Sequence, residues 1–212
     1  MHYKVQCIGD AFINMLFYVN PKTVCDHSML GIHAEQRKHD RILPNLNYYN
    51  KFGSTKYVNG NTSKPLYATK KSHVNYVVAD TESWEQKAAK ALEEMDEVIC
   101  FVKNSFLNFY IPYVMEGKDR KYVPDFILRV NTPSGKTINL ILEISGFSQD
   151  KDYKTNYVYN RWLPAVNNVI EKNEIAEWHF LEVSAEIRDI KKEIREALKK
   201  ADKTLVCTEN VQ

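Results

Sequence analysis

The chain has 212 residues and a formal net charge of +2, with 44% hydrophobic and 26% charged side chains. That length can bury one good core, and the composition excludes collagen, coiled coil and wholesale disorder. Four cysteines lie far apart without a CxxC pair, which argues against a disulfide framework or a zinc site. The longest apolar run near the start, residues 11–19, is too short to span a bilayer and lacks signal-peptide flanks. We therefore expect a cytoplasmic protein with reduced thiols and no membrane segment.

Charge is distributed unevenly along the chain. Residues 1–80 carry ten Lys and Arg against five Asp and Glu, and residues 41–79 hold six bases, no acid and several tyrosines. Bases neutralise phosphates and aromatic rings stack on nucleobases, so this stretch is either a nucleic-acid surface or a solvated connector. The side chains expected to bind DNA are Lys51, Lys56, Lys70 and Lys71. We predict a basic, loop-rich linker over residues 1–79 and an ordered domain over 80–205.

The predicted elements begin near residue 83. Ser83 and Gln86 have the spacing of a capping box, and the apolar residues behind them recur at helical spacing, which predicts a helix. The predicted strands are 98–102, 109–115, 121–130, 137–144 and 178–183. The predicted later helices are 150–161, expected to break at Pro164, and 189–201. This order predicts an α/β fold with a mixed central sheet flanked by helices.

Two acidic residues stand out by their position. Asp125 follows Pro124 where an apolar run emerges from a turn, and Glu143 interrupts an apolar strand. Their separation allows one hairpin, so they can lie side by side, with Glu85 on the preceding helix as a third acid. Phosphodiester hydrolysis needs a hard cation, and two carboxylates with a backbone carbonyl, that of Ile144, suffice for Mg²⁺. The alternative is a pair of buried carboxylates that only bind a lysine or cap a loop.

Four runs of the sequence point to one family. They are SHVNYVVADTESWEQKAAKALEEMDEVICFVKN (72–104), YVPDFILRV (122–130), LILEISG (140–146) and RWLPAVNN (161–168). Together they resemble the C-terminal endonuclease region of type III restriction-enzyme restriction subunits, over about residues 45–190. The resemblance implies a PD-(D/E)xK nuclease fold with αβββαβ order, and cleavage of double-stranded DNA with Mg²⁺, for which Mn²⁺ can substitute.

The resemblance also assigns site residues and partners. It places the PD acid at Asp125, the second acid at Glu143 and the helical acid of the wider class at Glu85. It implies a helicase-type ATPase motor and a modification methyltransferase as partners. Because the chain has no GxxxxGK[ST] phosphate loop, we expect that motor on another polypeptide or on a missing part of this one.

The sequence departs from the class motif at one position. The lysine expected two residues after Glu143 is Ser145, which brings no positive charge to the phosphate. Either Lys154 or Lys151 on the next helix replaces that cation, or both are solvated helix lysines. Asn167 either contacts DNA or caps a helix. Two interpretations follow: a Mg²⁺-dependent endonuclease, or a nuclease-like module that lost its lysine and only binds DNA.

Overall fold

A computed structural model describes residues 53–81, 83–115, 117–145, 151–170, 176–184 and 189–209. All of them belong to the second of the two units into which the chain divides, Met1–Arg41 and Ile42–Gln212. Lys51 and every expectation for residues 1–52 lie outside the described residues. Within the described ranges, no helix has the length and apolar character needed to cross a membrane.

Among the described elements, two strands precede the first α-helix, five follow it, and the last strand lies between two helices. The strands are β1 Leu66–Ala68, β2 Tyr76–Val78, β3 Val98–Lys103, β4 Ile111–Met115, β5 Lys118–Tyr122, β6 Phe126–Asn131, β7 Thr137–Ser145 and β8 Trp178–Ser184. The helices are α1 Trp84–Glu94, α2 Lys151–Tyr157, α3 Leu163–Ile170 and α4 Ile190–Glu209. A π-helical turn, Val158–Trp162, joins α2 to α3.

Helix α1 begins where the sequence predicts. The Ser83 hydroxyl accepts a hydrogen bond from the Gln86 amide at 3.2 Å and so satisfies one of the free amides of the first turn. The Ser83 amide donates to the Asp80 carbonyl. Behind this cap, Ala88 and Leu92 are fully buried on the apolar face of the helix. The predicted helix is therefore confirmed.

A four-stranded sheet in the order β3-β6-β7-β8 forms the centre of the fold. Strand β6 is antiparallel to both β3 and β7, and β8 is parallel to β7. A parallel pair needs a crossover connection, and the helical segment from α2 to α3 lies in it. The predicted mixed sheet is confirmed.

Helices cover both faces of this sheet, because successive side chains of a strand point to opposite faces. One core joins the sheet to α1 and α4 and includes Leu92, Leu128, Leu140, Ile194 and Leu198. The other lies on the opposite face and includes Ile111, Tyr122, Ile141, Val158 and Phe180. The α/β arrangement with flanking helices is thus the observed architecture.

Two predicted elements that lie at prolines were wrong. The strand predicted over 121–130 is two strands, because Pro124 has no amide for a strand ladder and the chain leaves β5 before it enters β6. The helix expected to break at Pro164 continues through it. The Leu163 amide donates to the Val158 carbonyl, so the helical path reaches Pro164 through a π turn, which is wider than an α-helical turn.

The segment before α1 also packs on the sheet. Strands β1 and β2 pair, and Val77 and Ala79 are fully buried in the core shared with α1. The His73 amide donates to the Phe101 carbonyl at 2.9 Å, and the Phe101 amide donates to the Lys71 carbonyl at 3.0 Å. These bonds cover part of the free edge of β3. The division of the chain at residue 79 stays a prediction.

Candidate active site

Asp125 and Glu143 lie side by side at one end of the central sheet. Strands β6 and β7 pair Phe126 with Leu142, so the next residues outward are these two acids. Glu143 Oε2 accepts a hydrogen bond from the Asp125 amide at 3.3 Å. Asp125 Oδ2 accepts one from the Ile144 amide at 2.8 Å. Each carboxyl is thus oriented by backbone of the other strand, through one of its two oxygens.

Asn104 fixes the turn that carries Asp125. Its side-chain amide donates to the carbonyls of Phe109 at 2.8 Å and Pro124 at 3.0 Å. Its backbone amide donates to the Asp125 carbonyl at 2.8 Å. Asn104 could not be predicted from local sequence, because these partners come together only when β3 and β6 pair.

Burial and a neighbouring negative charge raise the pKa of each acid. Burial, with the negative charge of Asp125, raises the pKa of Glu143 to about 7. Burial also raises the pKa of Asp125; the charge of Glu85 adds to this, while the Ile144 amide and Lys103 oppose it. A cation bound between the two carboxyls would offset the neighbouring negative charge. It would therefore favour the ionised forms of Asp125 and Glu143.

Glu85 lies close enough to influence Asp125, but it has a cationic partner. Lys103 Nζ is 3.1 Å from Glu85 Oε2, and the lysine side chain is only 14% exposed. Lys103 ends β3 and was not among the predicted site residues. Its charge also acts to lower the pKa of Asp125. The third acid of the predicted set, Glu85, is thus paired with a lysine that was not predicted from the sequence.

A small cleft of about 20 Å³ opens beside Glu143. Its lining residues are Tyr122, Glu143, Ser145, Lys154, Thr155, Phe180 and Glu182. The Lys154 ammonium lies 5.8 Å from the centroid of the Tyr122 ring, and its charge acts to lower the pKa of Glu143. The structure therefore brings Lys154, Ser145 and Glu143 into one cleft. The side chain of Lys151 is not described.

Glu182 and Tyr122 are among the lining residues that were not predicted from the sequence. The parallel register of β7 and β8 pairs Glu143 with Glu182, whose carboxyl accepts a hydrogen bond from the Thr155 hydroxyl at 3.1 Å. Glu182 interrupts an apolar strand just as Glu143 does, so the same criterion would have found it. Tyr122 is 3% exposed. Its hydroxyl is buried close to the Glu143 carboxyl without meeting the geometry of a hydrogen bond.

The predicted DNA-contacting residues lie elsewhere. Lys56 is exposed, with its ammonium 4.6 Å from the Tyr57 ring centroid. Lys70 is also exposed, whereas Lys71 is half-buried and donates from its ammonium to the Met95 carbonyl. Contact of these lysines with DNA stays a prediction.

Asn167 has two internal bonds. Its side-chain amide donates to the Trp178 carbonyl and accepts from the Trp178 amide, both at 2.9 Å. These bonds tie α3 to the start of β8. A structural role for Asn167 is therefore observed, and a DNA contact stays a prediction.

The donor atoms at the sheet end suit a hard cation. Two carboxylates and the Ile144 carbonyl are oxygen ligands, and Mg²⁺ completes such a set with waters. In the described part of the chain, no group of three or more His, Cys, Asp and Glu side chains is arranged to hold a metal ion. A fit to Mg²⁺ therefore depends on a two-carboxylate site. Asp125 Oδ1 and Glu143 Oε1 are the oxygens that do not take part in the two backbone hydrogen bonds.

The fold and site were also compared with known proteins. No family model, no curated protein and no solved structure matches the chain. The class that the structure itself defines is an α/β protein with a mixed four-stranded sheet, helices on both faces and two adjoining carboxylates at the sheet end.

Proposed function

We propose that the chain is the Mg²⁺-dependent endonuclease domain of a type III-like restriction enzyme, which cleaves double-stranded DNA in the cytoplasm. The observation that carries the proposal is the pair of backbone bonds that place the carboxyls of Asp125 and Glu143 together. The proposal includes the PD-(D/E)xK form of the fold. Its support is the order α1, β3, β6, β7, α2–α3, β8, with the β4–β5 hairpin counted as an insertion.

In this proposal Asp125, Glu143 and the Ile144 carbonyl hold Mg²⁺, with Mn²⁺ as a substitute. The bound ion supplies a Lewis acid for the phosphate and lowers the pKa of the attacking water. Lys154 brings positive charge into the cleft, where it stabilises the charge that grows on the phosphate oxygens. Ser145 shares that cleft with Lys154 and contributes no charge. Asn104 keeps the Asp125 turn in place.

The partners in this proposal follow from its chemistry. Cleavage of duplex DNA under control of an ATP-driven motor requires a helicase-type subunit or domain. Restriction also requires a modification methyltransferase that protects the host sequence. Both are proposed partners, and neither activity is assigned to the residues of this chain.

The test is nicking of supercoiled plasmid DNA by the full chain, alone and joined to a type III motor. The proposal expects nicking with Mg²⁺ or Mn²⁺, its loss on chelation, and a loss of 10²-fold or more in Asp125→Asn. Glu196→Gln is the control, since Glu196 is an exposed acid of α4 outside the cleft. Unchanged nicking in Asp125→Asn would refute the assignment.

The alternative function is a nuclease-like module that binds DNA without cutting it. Ser145 in the place of the motif lysine favours this alternative. If the chain binds duplex DNA but does not nick it with either cation, alone or joined to its motor, the binding module is the correct function.

A further inference from the structure

The β4–β5 hairpin has two different faces. Its antiparallel register pairs Ile111 with Tyr122, Tyr113 with Arg120 and Met115 with Lys118, and these three pairs share one face because alternate pairs point the same way. We name the face formed by these three pairs the cleft face. The pairs between them belong to the opposite face, which carries Pro112, Lys121, Val114 and Asp119.

The base of the cleft face is fixed to the body of the protein. Ile111, Tyr113 and Tyr122 are each 4% exposed or less and share a core with Ile141 and Phe180. Tyr122 also lines the cleft that contains Glu143 and Lys154. The face therefore starts at the cleft wall and continues along the hairpin to Met115, which is partly buried against the same core.

The outer end of the same face is basic. Arg120 and Lys118 precede Tyr122 in β5 at alternate positions, so their Cα atoms lie about 7 and 14 Å along the strand from it. Both side chains are exposed, and neither makes an ion pair with any described residue. The described acid of the hairpin, Asp119, lies on the opposite face. The cleft face thus presents two cations, without an ion-pair partner among the described residues, on the strand that leads to Tyr122 in the cleft wall.

We propose that the cleft face of the β4–β5 hairpin, through Arg120 and Lys118, binds the sugar-phosphate backbone of duplex DNA whose scissile phosphate enters the cleft. The inference rests on the proposed nuclease function and extends it with a DNA-binding surface outside residues 1–79. The partner follows from charge complementarity: a polyanion satisfies both bases at once, and a two-stranded ribbon fits a DNA groove.

The test compares Lys118→Ala/Arg120→Ala with the wild-type full chain. Binding to a duplex of about 30 base pairs is followed by fluorescence anisotropy in EDTA, over roughly 50 to 200 mM salt. Each lost phosphate contact removes about 0.9 units from the slope of log affinity against log salt, so the double variant should lose about 2 units. The matched control is Lys192→Ala/Lys199→Ala, which removes two exposed lysines of α4 on the other face of the sheet.

Three results would contradict the proposed DNA-binding surface. They are an unchanged slope in the hairpin variant, an equal loss of slope in the control, and no DNA binding by the wild type. A loss seen with an RNA duplex and not with DNA would overturn it too. Plasmid nicking is measured in parallel and separates the two proposals. If the slopes of wild type and the hairpin variant differ but the wild type never nicks DNA, the DNA-binding surface is retained and the nuclease function is rejected. If the wild type nicks DNA but the slopes are equal, only the surface is rejected.

Discussion

Glu143 accepts a hydrogen bond from the backbone amide of Asp125 across 3.3 Å, so the second acid of the site helps to hold the first. The Asp125 carboxyl is held in turn by the Ile144 amide at 2.8 Å. Both bonds need only an acceptor oxygen, which an amide side chain also provides. Replacing either acid by its amide therefore removes charge while the geometry of the strand ends is retained.

The raised pKa of Glu143 predicts how stability changes with pH. The folded pKa of about 7 exceeds the ordinary 4.5, so the folded state holds a proton that the unfolded state has lost between these values. Stability from this group therefore falls as pH rises through that window and levels off above about pH 7. In the absence of metal, wild type should lose on the order of 3 kcal/mol of unfolding free energy relative to Glu143→Gln as the pH is raised from about 5 to about 8.

The measurement is urea unfolding of both proteins in EDTA at the two pH values. Glu196 is an exposed acid of α4, and Glu196→Gln serves as the control. Its unfolding free energy should change between the two pH values by the same amount as that of wild type. A Glu143→Gln curve that is also parallel to wild type would show that the carboxyl is ionised in the fold throughout this range.

Lys154 is predicted to act in the transition state more than in binding. Its removal takes a cation from the cleft, so Lys154→Ala should slow cleavage by about 10²-fold or more, near 3 kcal/mol, with a small effect on DNA affinity. Ser145→Lys in that background should restore part of the rate. Lys151→Ala is assayed beside it. If both alanine variants cut at the parental rate, the charge comes from another group.

Asn104 is predicted to stabilise the turn that presents Asp125. Asn104→Ala leaves the carbonyls of Phe109 and Pro124 without their donor, which should cost about 1–3 kcal/mol of unfolding free energy. Asn75→Ala, at an exposed position, should change stability by no more than about 0.5 kcal/mol. Chemical denaturation measures both. Equal stabilities would mean that the turn is held without the Asn104 amide.

Local signals in the sequence predicted the elements whose causes are local. The Ser83 cap lies within one turn of helix, and Gly135, with φ of +87°, lies in the turn predicted at 131–135. The positions of Asp125 and Glu143 were accessible because a charged residue beside an apolar strand run is visible without a fold. Such features need no knowledge of distant residues.

Features that depend on tertiary pairing were missed. Lys103 reaches Glu85 only because α1 packs beside the end of β3, and Glu182 meets Glu143 only through the parallel register of β7 and β8. The path of the helix through Pro164 depends on a π turn, which the spacing of apolar residues does not encode. These contacts decide the charge balance of the site, so its electrostatics could not be predicted from sequence.

The most direct test of the metal site is a calorimetric titration of Mg²⁺ into the full chain at about pH 8, where Glu143 is ionised. Wild type should bind one ion per chain, Asp119→Asn should bind it equally, and Asp125→Asn should bind it at least about tenfold more weakly. Wild-type affinity should also fall towards about pH 6, because a carboxylate ligand must lose its proton to bind. Equal affinity in wild type and Asp125→Asn, or no binding of Mg²⁺ or Mn²⁺ by wild type, would contradict a cation held between Asp125 and Glu143.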